Sequence, residues 1–370
     1  MLQLNAEWTK KRDEDFVAID LNGRTSMETM FERELLSQGR LLNGRSALGF
    51  AAAERAAALF DDSVTHLVVA ARGSSDNAAM YLQYLAGHEL GLLVALATPS
   101  LYGDPQRIGL AGAAVLGISQ SGRSPDIVSV LASARAQNRP TVAITNDESS
   151  PLALEADVVI PLLVGEELSL AATKTLLASM HAVMQLVQAL ASPREVLVLS
   201  TELAQVVSIA SEWALSHVDA ELRRLTFDGL TVVGRGMGLC SAYECALKVR
   251  EVAGIRAEAY AAPDLLHGPI GAVGSGSTMW LQLTDEIDDK SARDLVVRAK
   301  HSGLTTLVSR TPSRASIDAD VEIVLPVDSP NWMTPFLNVV VGQVMALRLG
   351  EQRSRPIDLP PGLQKVTLTN

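Results

Sequence analysis

Cysteine is scarce. Cys240 and Cys245 are the only two in the chain, five residues apart in a segment that reads as helical. Neither a disulfide framework nor a zinc site follows, no metal is expected, and a reducing cytoplasm fits. Positive charge is short as well, with 31 Lys and Arg against 42 Asp and Glu and a formal net charge of −11. Binding to a polyphosphate backbone demands clustered Lys and Arg, so no nucleic-acid partner is expected. Long apolar runs are missing: stretches such as Ala182 to Ala191 are too short and too interrupted to cross a bilayer. The segment from Met1 to Phe16 is charged from residue 7 onward and has no apolar centre, unlike a secretion signal. Neither a membrane nor export is expected.

Apolar content is ample, at 48% hydrophobic against 20% charged residues, so most of the chain can bury a core. At 370 residues the length fits two domains of about 150 each. Internal similarity supports that division. "THLVVAARGSSDNA" (65–78) matches "GLTVVGRGMGLCSA" (229–242), each a β-branched run, an Arg-Gly turn and small residues that open a helix. Three more pairs keep an offset of 163 to 165: "AAVLGISQSG" with "TMWLQLTDEI", "PTVAIT" with "LTTLVS", and "ADVVIPL" with "DVEIVLPV". A repeat of that length is far too long for a solenoid and reads as a duplicated domain. Short apolar strands alternate with helical stretches such as "DIVSVLASARAQN" in both copies, which predicts open parallel α/β sheets covered by helices. Such sheets bind ligands where strand ends face helix starts.

"GISQSGRSPDI" (117–127) falls at such a place. Ser124 reads as a helix N-cap and Pro125 as the first helical residue. Ser119, Gln120 and Ser121 then lie beside unpaired N–H groups and the positive end of a helix dipole, an arrangement suited to an anion. A loop like this taken alone reads equally well as a turn and a cap. The second copy shifts that balance, because its "LTDEID" carries Asp285, Glu286 and Asp288, which repel a phosphate. One phosphate-sized site is therefore expected, in the first copy, with Ser74 and Ser75 as its other wall. No nucleotide fingerprint accompanies it, since "GRGMG" has the wrong spacing for a dinucleotide loop and no Lys-Ser/Thr pair follows.

The second copy holds the titratable groups. Glu244, Lys248 and Glu251 are spaced four and three apart, on one helical face, a pattern that more often marks a solvated salt-bridge ladder than a site. His267 stands beside Gly268 and Pro269 in a turn, where a lone His is usually a surface residue.

Together, "RGSSDNA", "SQSGRSPD", "EELSLAATKT" and "ECALKVREVAGIRAEAYAAPDLLHGP" resemble, in order and spacing, the paired sugar isomerase (SIS) domains of glucosamine-6-phosphate synthases and their shorter relatives. The similarity covers about residues 25 to 370 and includes the tail "LPPGLQKVTLTN". The synthases carry an N-terminal glutaminase domain that opens on a nucleophilic cysteine, for which this sequence has neither room nor cysteine. The stand-alone SIS-type glucosamine-6-phosphate deaminases are the nearer resemblance. It implies two tandem SIS domains of flavodoxin-like α/β architecture: an extension (1–24), a phosphate-binding domain (25–200), a domain with the acid/base residues (201–350) and an active-site tail (351–370). The implied reaction is aldose–ketose isomerisation with deamination, glucosamine 6-phosphate to fructose 6-phosphate plus ammonia, in the cytoplasm and without cofactor.

The roles it implies are these. Ser75, Ser119, Gln120, Ser121 and Ser124 match the phosphate cradle. Glu251 matches the base between C1 and C2, and His267 the ring-opening acid/base, which in the family can come from the neighbouring subunit of a homodimer. Lys248 matches a lysine near the sugar hydroxyls and Lys365 the tail lysine able to form a Schiff base with an open ketose. Glu167, Ala171, Ala172 and Thr173 match the sugar pocket. Two rivals remain. One is a deaminase or deglycase for galactosamine 6-phosphate, fructosamine 6-phosphate or a similar substrate. The other is a non-catalytic sugar-phosphate sensor, disfavoured because residues 1–45 are too short and acidic for a DNA-binding module.

Overall fold

Strands form where apolar, β-branched runs are buried on both faces. A computed structural model describes residues 17–19, 25–102, 107–191, 196–274, 276–362 and 364–365. The extension 1–24 lies outside the described residues except for Val17–Ile19, which pairs antiparallel with Thr25–Met27. The first half comprises α1 (Met30–Ala57), β1 (His66–Ala70), α2 (Ser74–Leu90), β2 (Leu93–Leu96), β3 (Ala113–Ile118), α3 (Pro125–Ala136), β4 (Thr141–Thr145), α4 (Pro151–Leu154), β5 (Val158–Pro161) and α5 (Lys174–Ala191). After α6 (Val196–Leu222), the second half comprises β6 (Leu230–Gly234), α7 (Gly238–Lys248), β7 (Ala257–Ala261), α8 (Ala262–Leu266), β8 (Thr278–Gln282), α9 (Asp289–His301), β9 (Thr305–Arg310), β10 (Val321–Val324) and α10 (Thr334–Gln352). The boundary read at residue 200 falls inside α6.

Each half builds one five-stranded, all-parallel sheet, in the order β2-β1-β3-β4-β5 and β7-β6-β8-β9-β10. This is the flavodoxin-like order, and the four sequence pairs occupy matching strands of the two sheets. A fifth pair, β2 and β7, escaped the sequence comparison. Both are edge strands with partly exposed residues (Leu93 is 69% exposed), so neither shows the continuous apolar run of a central strand.

Helices fasten the halves together. α5 is buried over nearly its whole surface and packs against α1 and α2, while α10 is equally enclosed between α6 and α7. α6 is the one described helix long and apolar enough to cross a membrane by length and composition, and it packs along α1 and α10. The α1–α6 crossing is close. A Cβ at Gly39 would meet the Ala204 carbonyl oxygen at 2.5 Å, so the position admits glycine alone. For the site, the decisive contact is between α2 of the first half and α7 of the second, which sets the start of α2 against the C-terminal part of α7, where Glu244 and Lys248 lie.

A buried polar knot lies behind the cleft. The Arg45 guanidinium on α1 donates to the Leu162 and Pro161 carbonyls at 3.0 and 3.2 Å, to Gln185 Oε1 at 3.0 Å, and stands 2.9 Å from His181 Nδ1. Burial lowers its pKa to about 9, which leaves it charged at neutral pH. Because a guanidinium only donates, His181 Nδ1 accepts and the ring proton sits on Nε2, 2.9 Å from Ser200 Oγ. Burial first, and then Arg45, push the His181 pKa well below its ordinary 6.5.

The sign follows from proton binding. Below about pH 6.5 the unfolded chain protonates this residue and the folded chain does not, so stability is lost as the pH falls through that window. Its contribution to the slope approaches about 1.4 kcal/mol per pH unit. Urea midpoints measured between pH 7.5 and 5.5 are expected to slope downward for the wild type and markedly less for His181→Gln. Equal slopes would mean that other groups control acid sensitivity.

Candidate active site

The site starts where β3 ends. Ser119 continues the ladder through its N–H to the Ile144 carbonyl (3.0 Å), and the chain then turns through Gly122 at φ 61°, a left-handed conformation that favours glycine. A Cβ there would also meet Ser150 Oγ at 2.1 Å. The turn is tied internally, with Ser119 Oγ accepting the Gly122 N–H at 3.2 Å and Ser121 Oγ that of Arg123 at 3.3 Å. Ser124 occupies the N-cap position of α3 and Pro125 opens the helix, as the sequence predicts, but the Ser124 hydroxyl makes no cap hydrogen bond. A capping function therefore does not account for it. α2 starts at Ser74 opposite, after Gly73 at φ 57°, so two helix N-termini converge on the same space.

That space is a cavity of about 380 Å³ lined by Ser74, Ser75, Ser119, Gln120, Ser121 and Ser124 on one side and by Lys248, Glu251, Glu167, Ala172 and Lys365 on the other. Arg72 on its rim already pairs with Asp126, and Arg123 in the adjoining loop pairs with Asp147, each at 3.0 Å. The anion-binding capacity of the wall resides in hydroxyls, backbone N–H groups and helix dipoles. In the second half the matching helix start is filled by the protein itself. Glu286 Oε1 accepts the Met237 N–H at 3.2 Å, at the start of α7, and Asn331 Nδ2 at 2.7 Å.

The far wall is ionic and comes from α7. Glu244 and Lys248 are each about 1% exposed, with Nζ 3.4 Å from Glu244 Oε1, and Lys248 also donates to Glu251 Oε2. A solvated ladder is thereby excluded. Immediately after Lys248 the helix widens into a π-helical turn, Val249–Ala253, which carries Glu251 to the cavity edge at 22% exposure. Glu244 accepts Ser74 Oγ at 3.1 Å and Asn77 Nδ2 at 2.7 Å across the α2–α7 contact. Burial alone would lower the Lys248 pKa, but Glu244 and Glu251 outweigh it and hold the lysine as ammonium. Burial raises the Glu244 pKa, with Lys248 opposing.

The third wall is the segment before α5. Glu167 is 3% exposed and its carboxylate accepts the Thr173 and Thr175 N–H groups at 2.9 and 3.1 Å, the Thr175 hydroxyl at 2.7 Å and Lys365 Nζ at 3.0 Å. It thus fastens the start of α5. Burial would raise its pKa, yet Lys365 and these donors hold it below the usual carboxylate range.

Most of the residues singled out from sequence meet here, with three adjustments. Ala171 and Thr173 are buried beneath the wall and do not line the cavity; Thr175, Leu170 and Leu176 do, one helical turn or less away. Ser74 spends its hydroxyl on Glu244. His267 is exposed in the turn after α8 and does not line this chain's cavity. Asn77 was overlooked, although its spacing of three from Ser74 puts both on one face of α2.

Comparison with known proteins bears on the family and the fold. A family model for the SIS domain matches residues 62–189. The glutamine–fructose-6-phosphate aminotransferase (isomerizing) of Halobacterium salinarum is 27% identical over 323 residues, covering 82% of this chain and 52% of that protein. The chain spans about half the length of the curated relatives it matches. Among solved structures, a presumptive phosphosugar isomerase from Silicibacter pomeroyi superposes with a TM-score of 0.77 at 28% identity, covering 89% of this chain and 99% of the other. The glucosamine-6-phosphate deaminase of Thermotoga maritima superposes with a TM-score of 0.74 at 21% identity, over 92% of this chain and 100% of the other. Residues 62–189 thus belong to the SIS-domain family, in a chain with the tandem SIS α/β fold and homology to the isomerizing aminotransferases.

Proposed function

We propose that this chain isomerises and deaminates a 2-amino-2-deoxyhexose 6-phosphate, converting glucosamine 6-phosphate and water to fructose 6-phosphate and ammonia. One observation carries the reading: a cradle of hydroxyls at two helix N-termini faces the hydrogen-bonded Lys248–Glu251 pair across a cavity of about 380 Å³. The homology to isomerizing aminotransferases and the fold of the Thermotoga deaminase support it.

Ser75, Ser119, Gln120, Ser121 and Ser124 hold the phosphate dianion, all from the first domain (25–200). The second domain (201–350) moves protons. Glu251 takes the C2 proton of the open-chain aldose and returns it to C1, a transfer that needs one carboxylate within hydrogen-bond reach of both carbons. The product is a C2 imine, which water hydrolyses to the ketose and ammonia. Lys248 donates to Glu251 and orients its carboxylate, and Lys365 on the tail (351–370) closes the sugar side. Since His267 is exposed, ring opening falls to the His267 of a second copy, in a homodimer whose sites are shared.

Ammonia release and ketose formation across glucosamine, galactosamine and fructosamine 6-phosphates test the reading, which fails if purified protein releases no ammonia from any. The homology favours one alternative, the synthetic direction, recognised by glucosamine 6-phosphate formed from fructose 6-phosphate and an ammonia source.

The cradle makes its own demand. Ser124 makes no cap bond, so Ser124→Ala should leave the urea midpoint unchanged to within about 0.5 kcal/mol, against the usual cost of about 1 kcal/mol for removing a cap. Its KM for the phosphorylated sugar should rise about 10-fold or more, the value of one hydrogen bond to a charged group. The reverse pattern, lower stability with unchanged KM, would return Ser124 to a structural role.

A further inference from the structure

The tail lysine sits on a segment that Asp358 fastens just after the core. Ile357 is buried, and beyond it Asp358 crosses to the opposite end of the chain. Its carboxylate accepts the Met30 N–H at 3.0 Å through Oδ2 and the Phe31 N–H at 2.9 Å through Oδ1. These are two of the donors that the first turn of α1 leaves without helical partners, and a carboxylate also suits the positive end of the helix. Thr29 Oγ1 takes the next one, from Glu32, at 3.1 Å. The Asp358 carbonyl meanwhile accepts the Leu170 N–H at 3.2 Å.

The same short segment is gripped from both sides. Glu34, one turn into α1, accepts the Leu168 and Ser169 N–H groups, and Lys365 donates to the Ser169 carbonyl and to Glu167. Asp358 therefore joins three elements remote in sequence: the start of α1, the wall segment 167–170 and the tail that carries Lys365.

We propose that Asp358 is a positioning residue for Lys365: by clamping the tail to the start of α1 and to Leu170, it holds the ammonium over the sugar side of the cavity. It touches no reacting atom, and its kinetic part rests on the function proposed above.

Two readouts separate a clamp from a merely structural cap. Trypsin cleavage after Lys365, followed by mass spectrometry as release of residues 366–370, reports tail docking without any substrate. Asp358→Ala is expected to accelerate it at least 10-fold, and Asp358→Asn, which keeps one acceptor, by less. In kinetics, Asp358→Ala should lower kcat with little change in KM, and should lower it no further in a Lys365→Ala background, because both changes remove one contribution. Cleavage at the wild-type rate in both Asp358 variants, or additive kcat losses in the double variant, overturns the proposal. A chain inactive on every hexosamine phosphate defeats the functional reading, while the proteolysis still decides the clamp.

Discussion

Replacing Glu251 with glutamine is expected to cut turnover of the amino-sugar phosphate about 10²- to 10⁴-fold, the range for losing a positioned general base, while KM changes only a few-fold. The hydroxyl-lined wall belongs to the first half and is untouched by the substitution, and glutamine keeps both the length of the side chain and an oxygen that can accept from Lys248. What it loses is the capacity to take a proton. The π-helical turn matters here, because a regular continuation of α7 would aim residue 251 differently relative to Lys248. Washout of the C2 hydrogen into D2O isolates the step: it should disappear in Glu251→Gln even where ring opening continues. A variant retaining more than a tenth of wild-type turnover would remove Glu251 from the role of base.

Much of this architecture was readable before any coordinates. Central strands such as β3, buried at every position, announce themselves as unbroken apolar runs, and the excess of hydroxyls in 119–124 over what a turn requires singles out a segment that lines the cavity. Edge strands did not, since exposure on one side dilutes the pattern. Nor did the burial of Glu244 and Lys248: i,i+4 spacing is identical for a solvated ladder and a dry ion pair, and only the docking of α2 on α7 distinguishes them. Asp358 and Glu34 were invisible for a related reason. Each acts on backbone N–H groups more than a hundred residues away in sequence, and no local pattern encodes that. Within the wall segment, Ala171 and Thr173 turn inward because Glu167 folds back to cap α5, which carries Ala172 and Thr175 to the cavity instead.

The largest effect on stability is expected from Lys248→Met. The lysine is the only cation within salt-bridge distance of Glu244 among the described residues, and both side chains are about 1% exposed. Without it, Glu244 keeps Ser74 and Asn77 but becomes a buried charge with no counter-ion, a loss of about 3–5 kcal/mol. That is a large share of the roughly 5–15 kcal/mol by which domains are stable. If the cost is the stranded charge and not lost packing, adding Glu244→Gln should restore most of it, with Asn77 turning its amide to present an acceptor. The pH dependence gives an independent check. Burial already raises the Glu244 pKa and removing Lys248 raises it further, so the folded variant binds a proton more readily than its unfolded chain. The penalty is then greatest at neutral pH and shrinks as pH falls toward the ordinary glutamate value of 4.5. Urea denaturation of wild type, single and double variants between pH 5 and 8 measures all three terms. A deficit below about 1 kcal/mol that does not change with pH would mean that Glu244 is already protonated in the wild type, and that the wall opposite the hydroxyl cradle is less ionic than its geometry implies.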